Sequence, residues 1–338
     1  MKERRLRAPV RLDLLLAALA ALAAASSCTE TPSRTPPAAA GDSPDFGDAF
    51  WRHWGDGRAE LAGYDLTFPR YGQLRPGVAV AVFVTETFSS SLRVKADPGK
   101  HPASDEFPVM KLNLIESFPT GIYDYNLLTS AFVALAGAGG LPPGTPAKVS
   151  FSAQEWCGHV YSQVLFDRDA VRHVLHSYFD GEADRTDELP HPPGGMAEDA
   201  LLVWARGLAA PVLAPGETRE VDVLGSLKFA RLGHGGVAWQ KAKLAREAGT
   251  TTVTVPAGSF EAEVRTVALA GDDRDGGRTW TFTTEVAEPH RILRWECTTG
   301  EKGELLASDR LKYWEMNGDG FRSALARLGL APRPPRTR

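Results

Sequence analysis

Three reactive side chains lie within one eight-residue window, SAQEWCGH, which covers residues 152–159. Glu155, Cys157 and His159 continue an alternation of apolar residues that begins at residue 149, and this alternation predicts one strand over residues 148–166. The pattern places all three side chains on the core-facing side of that strand, where polar groups need partners. Carboxylate, thiolate and imidazole are all zinc ligands, so the window predicts a metal site as one alternative, although the remaining ligands have no identifiable source.

A thiol enzyme centred on the same window is a second alternative. Residues i and i+2 of a strand lie about 6.5–7 Å apart with parallel side chains, so His159 is poorly placed to act as a base for Cys157. A distant histidine, His234 or His290, would have to take that role. The sequence also lacks the electropositive surroundings that activate a thiol.

Two further clusters have the residue types of metal sites. His173 and His176 are spaced i and i+3 in a helix predicted over residues 167–179, and they form a second candidate pair. Asp272, Asp273 and Asp275 have calcium-ligand chemistry, but their spacing differs from that of a D-x-D-x-D-G loop. A solvated hairpin turn is the better interpretation of the three aspartates.

The N-terminus predicts export. A basic start, an apolar run over residues 14–25 and small residues before Cys28 are typical of a signal peptide over residues 1–27. The apolar run is shorter than the roughly 20 residues that a membrane span needs. The ending Ala-Ser-Ser-Cys resembles a bacterial lipobox, which implies that Cys28 is acylated, with palmitate-like chains, and anchors the protein to a membrane. Thr29 after this cysteine implies the outer membrane, with the body facing the periplasm.

A disulfide is the favoured interpretation of the other two cysteines. Of the three cysteines in the chain, Cys157 and Cys297 remain once Cys28 is acylated. The periplasm is oxidising, and Cys297 also follows a core-facing alternation, so we expect the two to pair. Two buried free thiols are the alternative.

The charge of the chain argues against nucleic acid as a partner. Without residues 1–27, which hold five basic and two acidic side chains, 33 Lys and Arg stand against 40 Asp and Glu, a net charge of −7. No basic stripe interrupts this acidic balance, and clustered cations supply most of the affinity for phosphate backbones. We expect no cofactor either.

The patterning predicts a mainly β protein with a few packed helices. The predicted organisation is a tether over residues 28–46, a β-rich part over 47–210, a second β-rich part over 211–330 that continues the same sheet or forms another, and a tail over 331–338. Strands are predicted at residues 59–68, 78–87, 92–96, 109–117, 148–166, 219–223, 251–255, 292–298 and 305–313, with a hairpin on either side of residues 271–277. Helices are predicted at residues 48–54, 126–136, 167–179, 197–208 and 320–328. These elements indicate a large curved antiparallel sheet, either a half-barrel or a sandwich.

Two resemblances refine this interpretation. The run from residue 214 to 313, with the motif V-P-A-G-x-F at residues 255–260, is similar to a periplasmic β-rich family of unknown function related to lipoprotein-carrier half-barrels. The first half, with FWRHWGDGRAELAGY, FPTGIYDYNLLTS and SAQEWCGH, resembles uncharacterised bacterial envelope lipoproteins, some of which are labelled "septum formation inhibitor Maf". The opening motif of Maf enzymes is absent, so their chemistry is not implied.

The sequence therefore predicts a non-enzymatic envelope lipoprotein that binds an apolar or amphipathic component, such as a lipid or a lipoprotein. No G-x-S-x-G, P-loop, H-E-x-x-H or G-x-G-x-x-G motif occurs in the body. One alternative is the metal- or thiol-dependent enzyme at Glu155, Cys157 and His159. Another is a scaffold that binds an envelope protein through a sheet edge or through the segment of Trp51 and Trp54.

Overall fold

The computed structural model describes residues 42–271 and 276–332 of the 338-residue chain. The predicted signal peptide, Cys28 and most of the predicted tether lie outside the described residues, as do Asp272, Asp273, Asp275 and residues 333–338 of the tail. All described residues belong to one compact unit. No helix within residues 42–271 and 276–332 is both long and apolar enough to cross a membrane.

The described chain is mainly β, in one large, open, curved sheet of 16 strands, which confirms the predicted fold class. The strands are β1 Ala59–Arg70, β2 Gln73–Ser89, β3 Glu106–Thr120, β4 Tyr123–Ala134, β5 Pro146–Glu155, β6 Gly158–Phe166, β7 Ala170–Ser177, β8 Arg185–Pro190, β9 Met196–Ala197, β10 Thr218–Leu224, β11 Trp239–Arg246, β12 Thr251–Val255, β13 Gly258–Gly271, β14 Gly276–Glu285, β15 Ile292–Cys297 and β16 Lys302–Leu311. Their order is β8-β7-β6-β5-β4-β3-β2-β1-β16-β15-β14-β13-β11-β10-β9, and β12 pairs with β13. The two β-rich parts of the sequence thus share one sheet, joined where β1 pairs with β16.

Helices are short. The α-helices are α1 Asp48–Trp54, α2 Leu201–Ala205 and α3 Leu227–Leu232, and the 3₁₀ helices are Ala103–Asp105, Glu198–Ala200, Tyr313–Glu315 and Asp319–Leu328. The structure forms the predicted helix at residues 48–54, whereas the one predicted at 197–208 is reduced to a 3₁₀ turn and α2. The predicted C-terminal helix is a 3₁₀ helix, and α3 was not predicted.

Two predicted helices are strands in the structure. Residues 126–136 belong mainly to β4, because Tyr125, Leu127, Thr129, Ala131 and Val133 point alternately into the core and β4 pairs with a strand on each side. Residues 167–179 contain β7, which pairs with β6 and β8. Cross-strand pairing and burial outweigh the local helix propensity of these two segments. The strand predicted at residues 92–96 is also wrong, because it forms only an isolated bridge to β2.

Consecutive antiparallel pairing places alternate turns at one end of the sheet. Strands β1 to β8 pair in chain order, so the β1–β2, β3–β4, β5–β6 and β7–β8 connections share an end. The β15–β16 turn lies at this end too, since Thr67 near the end of β1 pairs with Lys302 at the start of β16. The β2–β3 and β4–β5 connections lie at the opposite end.

The inner helices fill the concave side of the sheet. This name denotes the 3₁₀ helix Glu198–Ala200, α2 and α3. The 3₁₀ helix contacts β4 and β5, α2 contacts β14, and α3 contacts β5 and β6. They join the main hydrophobic core, which runs through both halves of the sheet. The C-terminal 3₁₀ helix covers part of the outer side, where Leu328 packs with Leu61 and Val82.

Candidate functional site

The SAQEWCGH window is a hairpin rather than one strand. Strand β5 ends at Glu155, β6 begins at Gly158, and Trp156 and Cys157 form the turn between them. Gly158 has a φ of 151°, a backbone conformation that side chains disfavour, and this allows the chain to reverse here. The predicted continuous strand over residues 148–166 is therefore wrong, and so is the predicted common face of Glu155, Cys157 and His159.

The turn separates the three side chains. Glu155 points inward, and its Oε1 lies 3.5 Å from Nη2 of Arg231, with 2% and 3% of the two side chains exposed. Cys157 and His159 are exposed. Within residues 42–271 and 276–332, no group of three His, Cys, Asp or Glu side chains is placed to hold a metal ion. The structure thus forms no metal site from Glu155, Cys157 and His159, because Arg231 takes the carboxylate and the turn directs the thiol to solvent.

The structure also does not support the two other roles predicted for the cysteines, a disulfide between Cys157 and Cys297 and a catalytic thiol at Cys157. Cys157 and Cys297 are both free, one at an exposed turn and the other buried in β15, so the predicted disulfide is not formed in this structure. The hydrogen bond and charge of Glu155 raise the pKa of Cys157, which disfavours the reactive thiolate. His234 bonds to Glu182 and His290 to a backbone carbonyl, so neither serves Cys157 as a base.

His173 and His176 lie on opposite faces of β7. Buried His173 has Nε2 2.8 Å from Oγ of Ser162 and Nδ1 3.4 Å from Oδ2 of Asp187, while His176 is exposed and bonds to Asp184. The predicted shared helix face is therefore wrong. Ser162, His173 and Asp187 are connected in the same order as the residues of a hydrolase Ser-His-Asp triad, but Ser162 is buried. Burial lowers the pKa of His173, so the neutral ring ties β6, β7 and β8 together.

Large apolar side chains cluster at the end of the sheet that holds the β1–β2, β3–β4, β5–β6 and β7–β8 turns. Ile122 is 83% exposed, Trp156 72%, Tyr178 70% and Leu74 63%, and these are the four most exposed large apolar side chains among the described residues. We call this surface the aromatic rim and define it as Tyr71, Leu74, Ile122, Tyr123, Trp156 and Tyr178. Turns favour small polar residues, and exposed apolar clusters mark interaction sites, so the rim is the candidate functional site.

Neighbouring side chains hold the rim rings in place. Tyr123 stacks on Trp156 with ring centroids 5.9 Å apart, and the hydroxyls of Tyr71 and Tyr125 are 2.7 Å apart. The guanidinium of Arg70 lies 4.3 Å from the centroid of the Tyr71 ring, and its Nη1 donates to the carbonyl of Leu232, the last residue of α3. The rim is thus pre-organised against the inner helices, which lowers the entropy cost of binding.

A buried charge cluster anchors α3 to the sheet. Nζ of Lys228 lies 2.8 Å from Oε2 of Glu301 and 3.0 Å from Oε1 of Glu116, and at most 5% of each side chain is exposed. Burial raises the pKa of Glu116 to about 8, while Lys228 offsets part of this effect and Glu301 adds to it. The two carboxylates raise the pKa of Lys228 against its burial, so the lysine is charged.

Further ion pairs fix the other inner helices. Arg206 donates to both carboxylate oxygens of Glu60, at 2.7 and 3.1 Å, and Arg278 and Trp280 both donate to Glu198. The cavity beside this network has a volume of about 40 Å³, whereas small-molecule sites have roughly 300–1,000 Å³. The chain's own helices therefore occupy the concave side of the sheet.

The sequence contains signals for the buried charge cluster and for the aromatic rim, although neither was predicted. Glu116 follows Leu112 and Leu114 at every second position of β3, so the alternation places a carboxylate among core residues. Ile122 and Tyr71 each stand beside a glycine with positive φ, Gly121 and Gly72, and this pairing marks an apolar residue at a tight turn. What the sequence does not show is that these turns meet at one end of a sheet.

Among solved structures, the chain is similar to the crystal structure of a beta-barrel-like protein of the domain of unknown function DUF1849 from Brucella abortus. The sequence identity is 12% and the TM-score is 0.43. The alignment covers 75% of this chain and 98% of that chain. No protein-family model matches the sequence. The search of curated proteins found no significant match.

Proposed function

We propose that this protein is a lipid-anchored protein of the bacterial outer membrane that faces the periplasm and binds a lipid–water interface through the aromatic rim. Binding is its whole activity, without a catalytic step. The observation that carries the proposal is the concentration of the four most exposed apolar side chains at one end of the sheet. Tyr and Trp combine an apolar ring with a polar edge, and this combination suits the headgroup region of a bilayer.

Apolar burial, rather than charge, has to supply the affinity. The exported chain is acidic, with the net charge of −7 given above, and the β7–β8 turn beside Tyr178 carries Asp180, Glu182 and Asp184. The charge of the protein therefore adds nothing to its affinity for anionic lipid. Each large side chain that becomes fully buried contributes about 1.5–3 kcal/mol, so a few rim residues suffice for measurable binding.

The predicted anchor can reach the same membrane as the rim. Cys28 precedes Asp42 by 14 residues, which span at most roughly 50 Å. Asp42 lies at the end opposite the rim, where its carbonyl accepts a hydrogen bond from Val212 and Pro44 packs on Gly144 of the β4–β5 turn. The 12-residue β4 between the two ends is about 40 Å long, which is less than the reach of the tether.

Co-sedimentation with phosphatidylcholine vesicles tests the proposal. The chain carrying Cys28→Ser cannot be acylated, so it reports the rim alone. We expect it to bind the vesicles, to bind about tenfold more weakly with Trp156→Ala, and to change little with salt. Trp314→Ala is the matched control, since Trp314 is also exposed but lies outside the rim. Equal binding of the two tryptophan variants, or no binding by the unsubstituted protein, would rule out the rim as the membrane site.

A further inference from the structure

The two edges of the curved sheet come close together. Strand β8 lies at one end of the strand order and β9 at the other, yet only residues 191–195 connect them. Five residues span at most about 20 Å, so the sheet curls until its edges nearly meet. One contact crosses the gap: the ring of His191, just after β8, stacks on Trp239 of β11, two strands in from the β9 edge, with centroids 5.7 Å apart. We call the gap between the edges the seam.

A cleft of about 420 Å³ lies on the β8 side of the seam, between β7 and β8 and the connection from α3 to β11, and we call it the seam cleft. Its lining is His173 and Leu175 of β7, the consecutive residues 185–189 of β8, and Gly235, Gly236 and Val237 after α3. Five consecutive residues of one strand line the cleft, so the backbone edge of β8 faces it as well as the side chains. The volume is within the range of ligand sites, unlike that of the inner cavity.

The outer edge of β8 is unpaired. On its other side β8 pairs with β7 from Arg185 to Pro190, but no second strand pairs with it in the part of the chain that the structure describes. Such an edge offers a row of backbone N–H and C=O groups to an added strand. A small molecule satisfies few of these groups, whereas an extended peptide satisfies them in register.

The opposite wall leaves room for that strand. A Cβ atom at Gly236 would meet no other atom within 4 Å, and the backbone there is not in the left-handed region. Apolar side chains lie on both sides of the cleft, with Leu175 and Leu189 on the β7–β8 side and Val237 on the opposite side. A strand whose apolar residues recur at every second position would place all of them on one of its two faces, where they can contact these side chains.

We propose that the seam cleft accepts an extended segment of another polypeptide, which pairs with β8 as an added strand. This site is separate from the aromatic rim, and its use does not depend on membrane binding. The segment has alternating apolar residues and free backbone N–H groups. The predicted role of the protein as a scaffold thus gains a specific location, the β8 edge.

A synthetic peptide of alternating Val and Thr with terminal lysines serves as the probe. Fluorescence anisotropy measures its binding to the Cys28→Ser chain, and hydrogen exchange measures protection of the β8 amides. We expect binding with protection of amides within residues 185–189, at least tenfold weaker binding to Gly236→Trp, and no change for Gly249→Trp. Gly249 is an equally open glycine outside the cleft, so this control reproduces the added bulk.

A second peptide, with proline in place of two consecutive residues near its middle, loses a donor on each edge of the strand, whichever edge faces β8, and should bind at least tenfold more weakly. Circular dichroism confirms that both glycine variants are folded. Equal binding of the two peptides, equal binding to the two variants, or absence of binding would overturn the proposal. Protection of β8 that grows with protein concentration in the absence of peptide would also overturn it, because a second copy of the chain would then be the occupant.

Discussion

Tyr123 and Trp156 stack across two adjacent hairpin turns, with ring centroids 5.9 Å apart. One ring follows the β3–β4 turn and the other lies within the β5–β6 turn, so β4 and β5 bring together residues that are 33 positions apart in the sequence. Trp156 lies outside the core, whereas Tyr123 is partly buried and packs against it. The stack joins residues of the two turns into one apolar surface, which is why we treat the rim as a single candidate site.

Ile122 offers a test of the rim that does not involve tryptophan. Ile122→Ser should weaken vesicle binding about tenfold, because its exposed side chain has no partner in the fold and its burial is gained only on binding. Leu92→Ser is the matched control, since Leu92 is 62% exposed in the β2–β3 connection at the opposite end. Vesicle co-sedimentation of both variants provides the comparison. A larger loss for Leu92→Ser than for Ile122→Ser would place the contact surface at the wrong end.

Lys228 should be a major determinant of stability. Lys228→Met leaves Glu116 and Glu301 buried without their cation, and breaking such a buried ion pair costs about 3–5 kcal/mol. Lys241→Met removes an exposed partner of Asp222 and should cost about 0–1 kcal/mol. Urea unfolding measures both free energies. Similar values for the two variants would contradict the anchoring role of the buried cluster.

Glu116 should make the protein less stable as the pH rises. Its pKa is about 8 in the folded protein against an ordinary 4.5, so between these values the folded state holds a proton that the unfolded state has released. The stability that this proton contributes is fully present near pH 4.5 and is lost as the pH rises toward about 8. Burial raises the pKa of Asp199 to about 6, so this group also lowers the stability as the pH rises, up to about pH 6.

Glu116→Gln removes the larger of these titrations. Urea unfolding midpoints of this variant should therefore fall less steeply between about pH 5 and about pH 8 than those of the unsubstituted protein. An unchanged slope would show that Glu116 is ionised in both states.

The two body cysteines should differ in reactivity. In the Cys28→Ser chain, Cys157 is exposed and Cys297 is buried, so a thiol reagent should modify one thiol in the native protein and the second only after denaturation. The reaction of Cys157 should be slow near neutral pH, because Glu155 raises its pKa. Cys157→Ser should abolish the native reaction. Two unreactive cysteines that become reactive after reduction would instead demonstrate a disulfide.

Much of the fold follows from alternation in the sequence. The hairpin of β13 and β14, and strands β1, β3 and β10, were predicted, the hairpin from the period-2 alternation of its apolar residues. Strand β4 was not, because its residues 126–134 read as a helix until the partners on both sides are known. The break at Trp156 and Cys157 was missed because the alternation continues through the turn, and only the backbone of Gly158 reveals the reversal.

The candidate sites were less accessible to prediction than the fold. Reactive residue types drew attention to Glu155, Cys157 and His159, but in the structure Glu155 bonds to Arg231, 76 residues away in sequence. The rim combines residues from Tyr71 to Tyr178, none of which has chemistry that stands out on its own. Long-range topology, which a single sequence does not contain, creates the site.

Quenching of Trp156 fluorescence by lipids brominated in the acyl chain tests the central claim most directly. With the Cys28→Ser chain and phosphatidylcholine vesicles, the account predicts strong quenching that disappears in Trp156→Phe and persists in Trp314→Phe. Quenching that is equal in the two variants, or absent from the unsubstituted chain at lipid concentrations that saturate co-sedimentation, would contradict insertion of the rim into the membrane interface.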